Sequence, residues 1–362
     1  MKQFFLLLMT LTCIYVNATI RTVSNTPATL AQFSTIQAAV DASSSGDTIY
    51  VHGSPNVYAS FTITNKQLVI IGPGWSPNKN LPLTVSVPGF TITGASSSNS
   101  EIQGLVVTST IVINSNHPDN IRLIRNYFSN ISLSINQGST TFIGYLFEGN
   151  VFDNSVVDAT SSSTYQNFLF QNNYFNDNAC CRTANISSFA NSVNVLFNHN
   201  LWFGTSNTVV RPCFAANCRF LTLTNNIFVK RDAATQNSSS TFNNNITFYP
   251  PGSTPPSDPW TLNSNINSGG NVSNQDPQMV NEAAVNAGTI DPLLDFTIAA
   301  GPANNSGSDG KDMGLLYDAT GSLNWTTSRT SRLPFIFSMN ITNPTIAAGG
   351  TLSVQVEARK NN

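Results

Sequence analysis

Five times between residues 121 and 228 the chain repeats one short pattern: an apolar stretch, an asparagine, one further residue, then an aromatic ring. The copies are Leu123–Phe128, Phe147–Phe152, Phe170–Phe175, Phe197–Trp202 and Leu223–Phe228, with a degenerate sixth at 242–246. Their asparagines, Asn126, Asn150, Asn173, Asn200 and Asn226, advance by 24, 23, 27 and 26 residues. Self-similarity at such a period belongs to stacked repeat architectures. The Leu-x-x-Leu-x-Leu frame of leucine-rich repeats is absent, and so is the 3.6-residue periodicity of helical repeats. What remains is several short β segments per unit, separated by Gly, Asn, Ser and Pro. That describes the coils of a parallel β-helix, stacked about 4.8 Å apart.

Stacking places equivalent residues of successive coils directly above one another. An asparagine side chain both donates and accepts, so the five asparagines are expected to form a hydrogen-bonded ladder. Phe128, Phe152, Phe175, Trp202 and Phe228 are expected to stack as an inner column. Alternation sends the residues three and five places before each asparagine inward, among them Phe147, Phe170 and Phe197. The column two before it, Ile124/Glu148/Gln171/Asn198/Thr224, is expected to face solvent. Four before it stand Arg122/Leu146/Leu169/Leu196/Thr222, an outward stripe with three leucines. A covering loop is expected there, since large exposed apolar strips are uncommon on monomers; the alternative is a strip that meets a ligand.

Ahead of the repeat, Ser34–Ala42 reads as a short helix with an apolar face of Ile36, Ala39 and Val40, and Ser34 and Gln37 stand at capping-box spacing. Before that, Lys2 and the apolar run from Phe4 to Val16 predict a secretory signal over 1–18, cleaved after Ala18. No later segment is long and apolar enough to span a bilayer, so an exported chain, secreted or at a cell surface, is expected. Only 9% of residues are charged, which supplies no basic field for a nucleic acid.

Export gives the cysteines a disulfide reading, with Cys180, Cys181, Cys213 and Cys218 as candidates. Vicinal 180–181 pairing is strained, so each is expected to reach toward 213 or 218. The two longest repeat intervals carry these residues, and insertions on adjacent coils emerge on the same side of a solenoid. No histidine with ligand-like spacing accompanies them, so no zinc site is expected.

The passage from Phe33 through Ala42 to Gly46-Asp47-Thr48-Ile49-Tyr50-Val51 resembles the start of right-handed parallel β-helix proteins of the pectin-lyase-like superfamily, where a helix caps the first coil. The Asn-x-Phe coils resemble that superfamily's repeats. Residues 291–296 and 301–314 resemble the segment that often closes bacterial members. The resemblance implies an all-β, right-handed parallel β-helix solenoid over 19–317 with an N-terminal capping helix. It implies no single activity, because the superfamily holds lyases, hydrolases, esterases and adhesins.

The chemistry of those enzymes is largely missing. Arg211-Pro212 is followed by Arg219, off the spacing of the Arg-x-Pro-x-x-Arg lyase motif, and neither an Asp-Asp pair nor Gly-His-Gly occurs. The best remaining constellation is basic: Arg182, His199, Arg211, Arg219, Lys230 and Arg231. In a functional reading these bind a uronate carboxylate and supply a general base, with His199, Arg211, Arg219 and Lys230 the candidate catalytic groups; solvated loop charges and a ladder-adjacent His199 are the plainer reading. Asp309 and Asp312 offer a weak calcium site; turn hydrogen bonding is the plainer reading, and no cofactor is expected. Residues 318–332 read as a linker and 333–362 as a C-terminal β cap or small attachment module. A non-catalytic structural or carbohydrate-binding protein follows, whose partner is a polysaccharide or cell-surface glycan. The alternative is a divergent polysaccharide lyase or glycoside hydrolase acting on an acidic polysaccharide.

Overall fold

The structure, a computed structural model, describes residues 18–27, 29–76, 83–114, 116–135, 140–177, 184–205, 210–252, 258–317, 325–328, 334–341 and 349–360. The chain winds into a parallel β-solenoid of about 9 turns. One coil shows the plan: Arg122–Ile124 lies in sheet 1, Tyr127–Ser129 in sheet 2 and Ser132–Ser134 in sheet 3. Sheet 1 has 12 strands, sheet 2 has 8 and sheet 3 has 7. The register follows the repeat, pairing Leu123 with Phe147, Phe147 with Phe170, Phe170 with Phe197, and Phe197 with Leu223.

The corner between sheets 1 and 2 explains the asparagine. Its first residue is left-handed in every ladder coil, at Arg125, Gly149, Asn172, His199, Asn225 and Asn244, with φ between 51° and 63°. That tight turn leaves the next residue's amide pointing along the stack, where the neighbouring asparagine meets it. Asn150 donates its backbone N–H to Asn173 Oδ1 at 2.9 Å and its Nδ2 to Asn173 Oδ1 and to Leu123 O, at 3.1 and 2.8 Å. The same bonds recur from Asn126 to Asn226. The ladder also runs farther than the five expected rungs, through Asn245 to Asn271. Each rung satisfies buried groups that would cost about 1–3 kcal/mol apiece if left unpaired.

Inside, the expected aromatic column forms: Phe152–Phe175 ring centroids are 4.7 Å apart, Phe175–Trp202 4.1 Å and Trp202–Phe228 5.9 Å. A second column on sheet 1 stacks Phe147, Phe170 and Phe197 at 4.3 and 4.4 Å, with interplanar angles of 2° and 7°. Truncating one such buried ring to alanine costs about 3–5 kcal/mol.

The N-terminal helix α1 (Ile36–Ala42) buries Ile36, Ala39 and Val40 as expected. Its cap is Thr35, whose hydroxyl accepts from the Ala38 N–H at 3.1 Å, rather than Ser34. Gln37 is spent elsewhere: its side-chain oxygen accepts the Thr62 N–H at 2.7 Å and ties the helix to sheet 3. At the other end a side chain plugs the interior. Trp260, 4% exposed, packs edge-on against Phe242 at 5.4 Å and donates its Nε1 to Ser273. The C-terminal strands, Pro334–Ile341 and Val354–Lys360, pair antiparallel with each other and join no coil strand among the described residues. The expected signal segment lies outside the described residues, apart from Ala18.

A second apolar cluster lies outside the coils. The outward apolar residues of sheet 2 from the coil of Val151 onward are Val151, Tyr174, Leu201/Phe203, Ile227/Val229 and Ile246/Phe248, all buried. Strands apolar on both faces demand cover on both faces. The chain supplies it by returning along sheet 2 with Met279, Val285, Phe296, Ile298, Met313, Leu315 and Trp325. The cover expected over Leu146, Leu169 and Leu196 is therefore on a different sheet, and those three remain half-buried. The neighbouring column is not uniformly solvated either. Ile124 and Glu148 are buried, and Gln171 donates to Glu148 at 3.1 Å, because side chains stacked at strand spacing cover each other.

Candidate functional site: an aromatic cleft above the returning tail

The basic constellation does not converge. His199 sits at the corner between sheets 1 and 2, Lys230 and Arg231 at the corner after sheet 2, and Arg219 just before the next sheet 1 strand. His199 is fully buried, its Nδ1 3.2 Å from Gly314 O and its Nε2 3.0 Å from Asp309 Oδ2. Burial lowers its pKa, against the raising effect of Asp309. Asp309 is pushed up by burial, yet the Lys311 amide and His199 hold it below its ordinary value overall. This pair fastens the returning tail to the solenoid.

Lys230 and Arg231 are buried, and their donors go to backbone carbonyls, Lys230 Nζ to Asn286 at 3.2 Å and Arg231 Nη2 to Pro212 at 2.8 Å. Burial also lowers the Lys230 pKa. Arg211 lies 3.3 Å from the buried Asp177. Arg219 is exposed and stacks on Phe220 at 4.9 Å. Arg182 lies outside the described residues. A uronate-binding group of cations is therefore not assembled from the described members.

The disulfide expectation is corrected at two positions. Cys213 and Cys218 are free thiols that point into the core, and burial pushes both up to about 12. Cys180 and Cys181 lie outside the described residues. The weak calcium pair is occupied by the turn: Asp309 Oδ1 accepts from Lys311 N and Asp312 Oδ1 from Asn305 N. Among the described residues no group of three or more His, Cys, Asp and Glu is placed to hold a metal ion.

The concavity with chemistry in it was not anticipated. Going down sheet 2, the outward residues turn from polar and mixed (Ser86, Val106, Tyr127/Ser129, Val151/Asp153, Tyr174/Asn176) to wholly apolar from Leu201/Phe203 onward, and the tail covers the apolar part. Above its edge opens a cleft of about 310 Å³ lined by Trp75, Val106, Tyr127, Asp291, Pro292 and Leu293. Trp75 and Tyr127 form two walls, ring centroids 5.5 Å apart and planes inclined at 56°. Trp325 of the tail braces Trp75 from 6.2 Å. Trp75 Nε1 is buried without a hydrogen-bond partner.

Two carboxylates serve this cleft. Asp291 Oδ1 accepts the Leu293 N–H at 2.8 Å, which aims the segment 291–293 at the aromatic walls. Asp153 Oδ2 accepts the Tyr127 hydroxyl at 2.8 Å. Burial, then the charges of Asp153 and Asp291, raise the Tyr127 hydroxyl well above its ordinary value. Trp75, Tyr127 and Asp291 share no local pattern in the sequence, and Asp153 joins them only through the Tyr127 hydroxyl.

No helix among the described residues is long and apolar enough to cross a membrane. Compared with known proteins, the chain matches no protein-family model and no curated sequence.

Proposed function

We propose that this chain is a secreted or surface-exposed β-helix protein of the pectin-lyase-like type that binds carbohydrate without cleaving it. The aromatic cleft at Trp75 and Tyr127 carries this reading. Sugar rings present apolar C–H faces that pack on aromatic rings, and hydroxyls that hydrogen-bond to carboxylates; Trp75 and Tyr127 offer the first and Asp291 the second. The solenoid serves as the rigid body that holds them. Against a lyase stands the dispersal of His199, Arg211, Arg219 and Lys230 to separate corners, each engaged with the fold.

A glycan array on the mature protein, followed by titration of its tryptophan fluorescence with the best oligosaccharide, tests the proposal. Binding abolished by Tyr127→Ala, in a variant that keeps its thermal transition, is expected. A blank array, or binding untouched by that substitution, overturns it. One observation favours a second reading, a glycoside hydrolase: Asp291 lines the cleft and a second carboxylate, Asp153, stands behind its wall on the Tyr127 hydroxyl. Release of reducing ends that disappears with Asp291→Asn supports that reading over the first.

A further inference from the structure

We infer that the sugar taken by this cleft carries a free, protonated amine, so that the ligand is a cationic amino sugar rather than a uronate or a neutral glycan. The inference rests on the carbohydrate reading above and specifies its chemistry. Its basis is an uncompensated negative charge beside aromatic faces. Among the described residues no Lys, Arg or His forms an ion pair with Asp153 or Asp291. They accept hydrogen bonds from neutral donors, the Tyr127 hydroxyl and the Leu293 amide. The half-buried Asp291 beside Val106, Pro292 and Leu293, with the half-buried Asp153 on the Tyr127 hydroxyl, disfavours an anionic ligand.

A cation meets the opposite conditions. The inclined faces of Trp75 and Tyr127 present the negative ring quadrupole to it, and a desolvated ammonium is attracted to such faces. Asp291 supplies the counter-charge at the rim of the same cleft. A primary ammonium also has three donors to place, more than a hydroxyl brings. An N-acetyl group removes both the charge and those donors, so the site distinguishes a free amine from its acetylated form.

Charge alone can be removed without disturbing the turn or the tyrosine contact. Asp291→Asn keeps an oxygen for the Leu293 N–H, and Asp153→Asn keeps one for the Tyr127 hydroxyl. The experiment titrates the full chain and both variants, by tryptophan fluorescence, with four probes at low and high salt. The probes are an oligomer of glucosamine, its N-acetylated counterpart, a glucose oligomer of equal length, and tetramethylammonium as a sugar-free cation.

The glucosamine oligomer is expected to bind about tenfold or more tighter than the acetylated one, a difference of about 1.4 kcal/mol. Asp291→Asn and high salt are each expected to erase most of that preference. Equal binding of charged and neutral oligomers, unaltered in Asp291→Asn, overturns the inference and leaves carbohydrate binding standing. A response to tetramethylammonium with none to any sugar overturns the carbohydrate reading and leaves the ammonium site. Silence toward all four probes overturns both.

Discussion

His199 and Asp309, separated by 110 positions, meet at 3.0 Å, and this contact pins the returning tail across the corner between sheets 1 and 2. Around it Asn225 accepts the Ser308 N–H, Gly314 donates to Asn225 O, and Asn172 accepts the Leu316 N–H, at 2.7, 2.7 and 2.8 Å. The left-handed corner column is thus the rail along which the tail is fastened.

This clasp makes stability depend on pH. Burial holds the His199 ring below its ordinary value of 6.5, so on acidification the unfolded chain takes up a proton before the folded one does. The contribution is complete above about pH 6.5 and declines as pH falls through that value toward the lower folded one. His199→Asn suits the corner, since Asn172, Asn225 and Asn244 already occupy it. Thermal melts at stepped pH are expected to show a wild-type decline below about 6.5 that is absent in the variant. Parallel curves would refute the assignment.

The ladder predicts a position-dependent cost. Asn173→Ala strips the acceptor from Asn150 N and Nδ2 and the donor from Asn200 Oδ1 and Phe147 O. A loss of about 3–6 kcal/mol is expected on urea denaturation. Asn271, at the half-buried end, ought to cost about 1–2 kcal/mol. Equal costs at both rungs would mean that the amides act singly rather than as a column.

Thiol chemistry provides a third check. With the Cys213 and Cys218 thiols pushed up to about 12, almost no thiolate exists near neutral pH. Iodoacetamide on the native protein, read by peptide mapping, is expected to leave both unmodified and to label both after denaturation. Rapid native labelling of either would contradict its burial.

The plug at the far end of the interior is testable by Trp260→Ala. Opening the core beneath Phe242 is expected to destabilise by about 3–5 kcal/mol and to loosen the last coils first. Hydrogen exchange would show protection lost at Thr241–Asn243 ahead of Tyr127–Ser129; a uniform loss would assign Trp260 no capping role.

The repeat made the solenoid legible because each coil restates the same local demands: a corner asparagine, then an inward ring. Asn245 reads only as part of a degenerate sixth copy because Thr247 replaces the ring two places after it, and Asn271 does not read as a rung because Ser273 stands at that position. The tail's docking had a signal that was read only in part. Leu201-Trp202-Phe203 and Ile227-Phe228-Val229 are apolar at all three positions, which a strand wet on one side does not permit. His199 looked like a candidate base because sequence shows its type and coil, whereas its burial depends on a segment more than a hundred residues away. The cleft was invisible for the same reason: residues 75, 106, 127 and 153 come from four successive coils and 291 from the tail, and only folding joins them.

The returning tail also dictates an order of assembly during synthesis. Coils add one upon another, so the early ones are free to close as soon as they emerge from the ribosome or an export channel. Leu201, Ile227 and Ile246 have no such independence, for their outer faces await residues made some fifty to a hundred positions later. A chain stopped near residue 270 would present a greasy, ready-made sheet surface to its neighbours, so premature termination leads here to clumping more than to a shorter working protein.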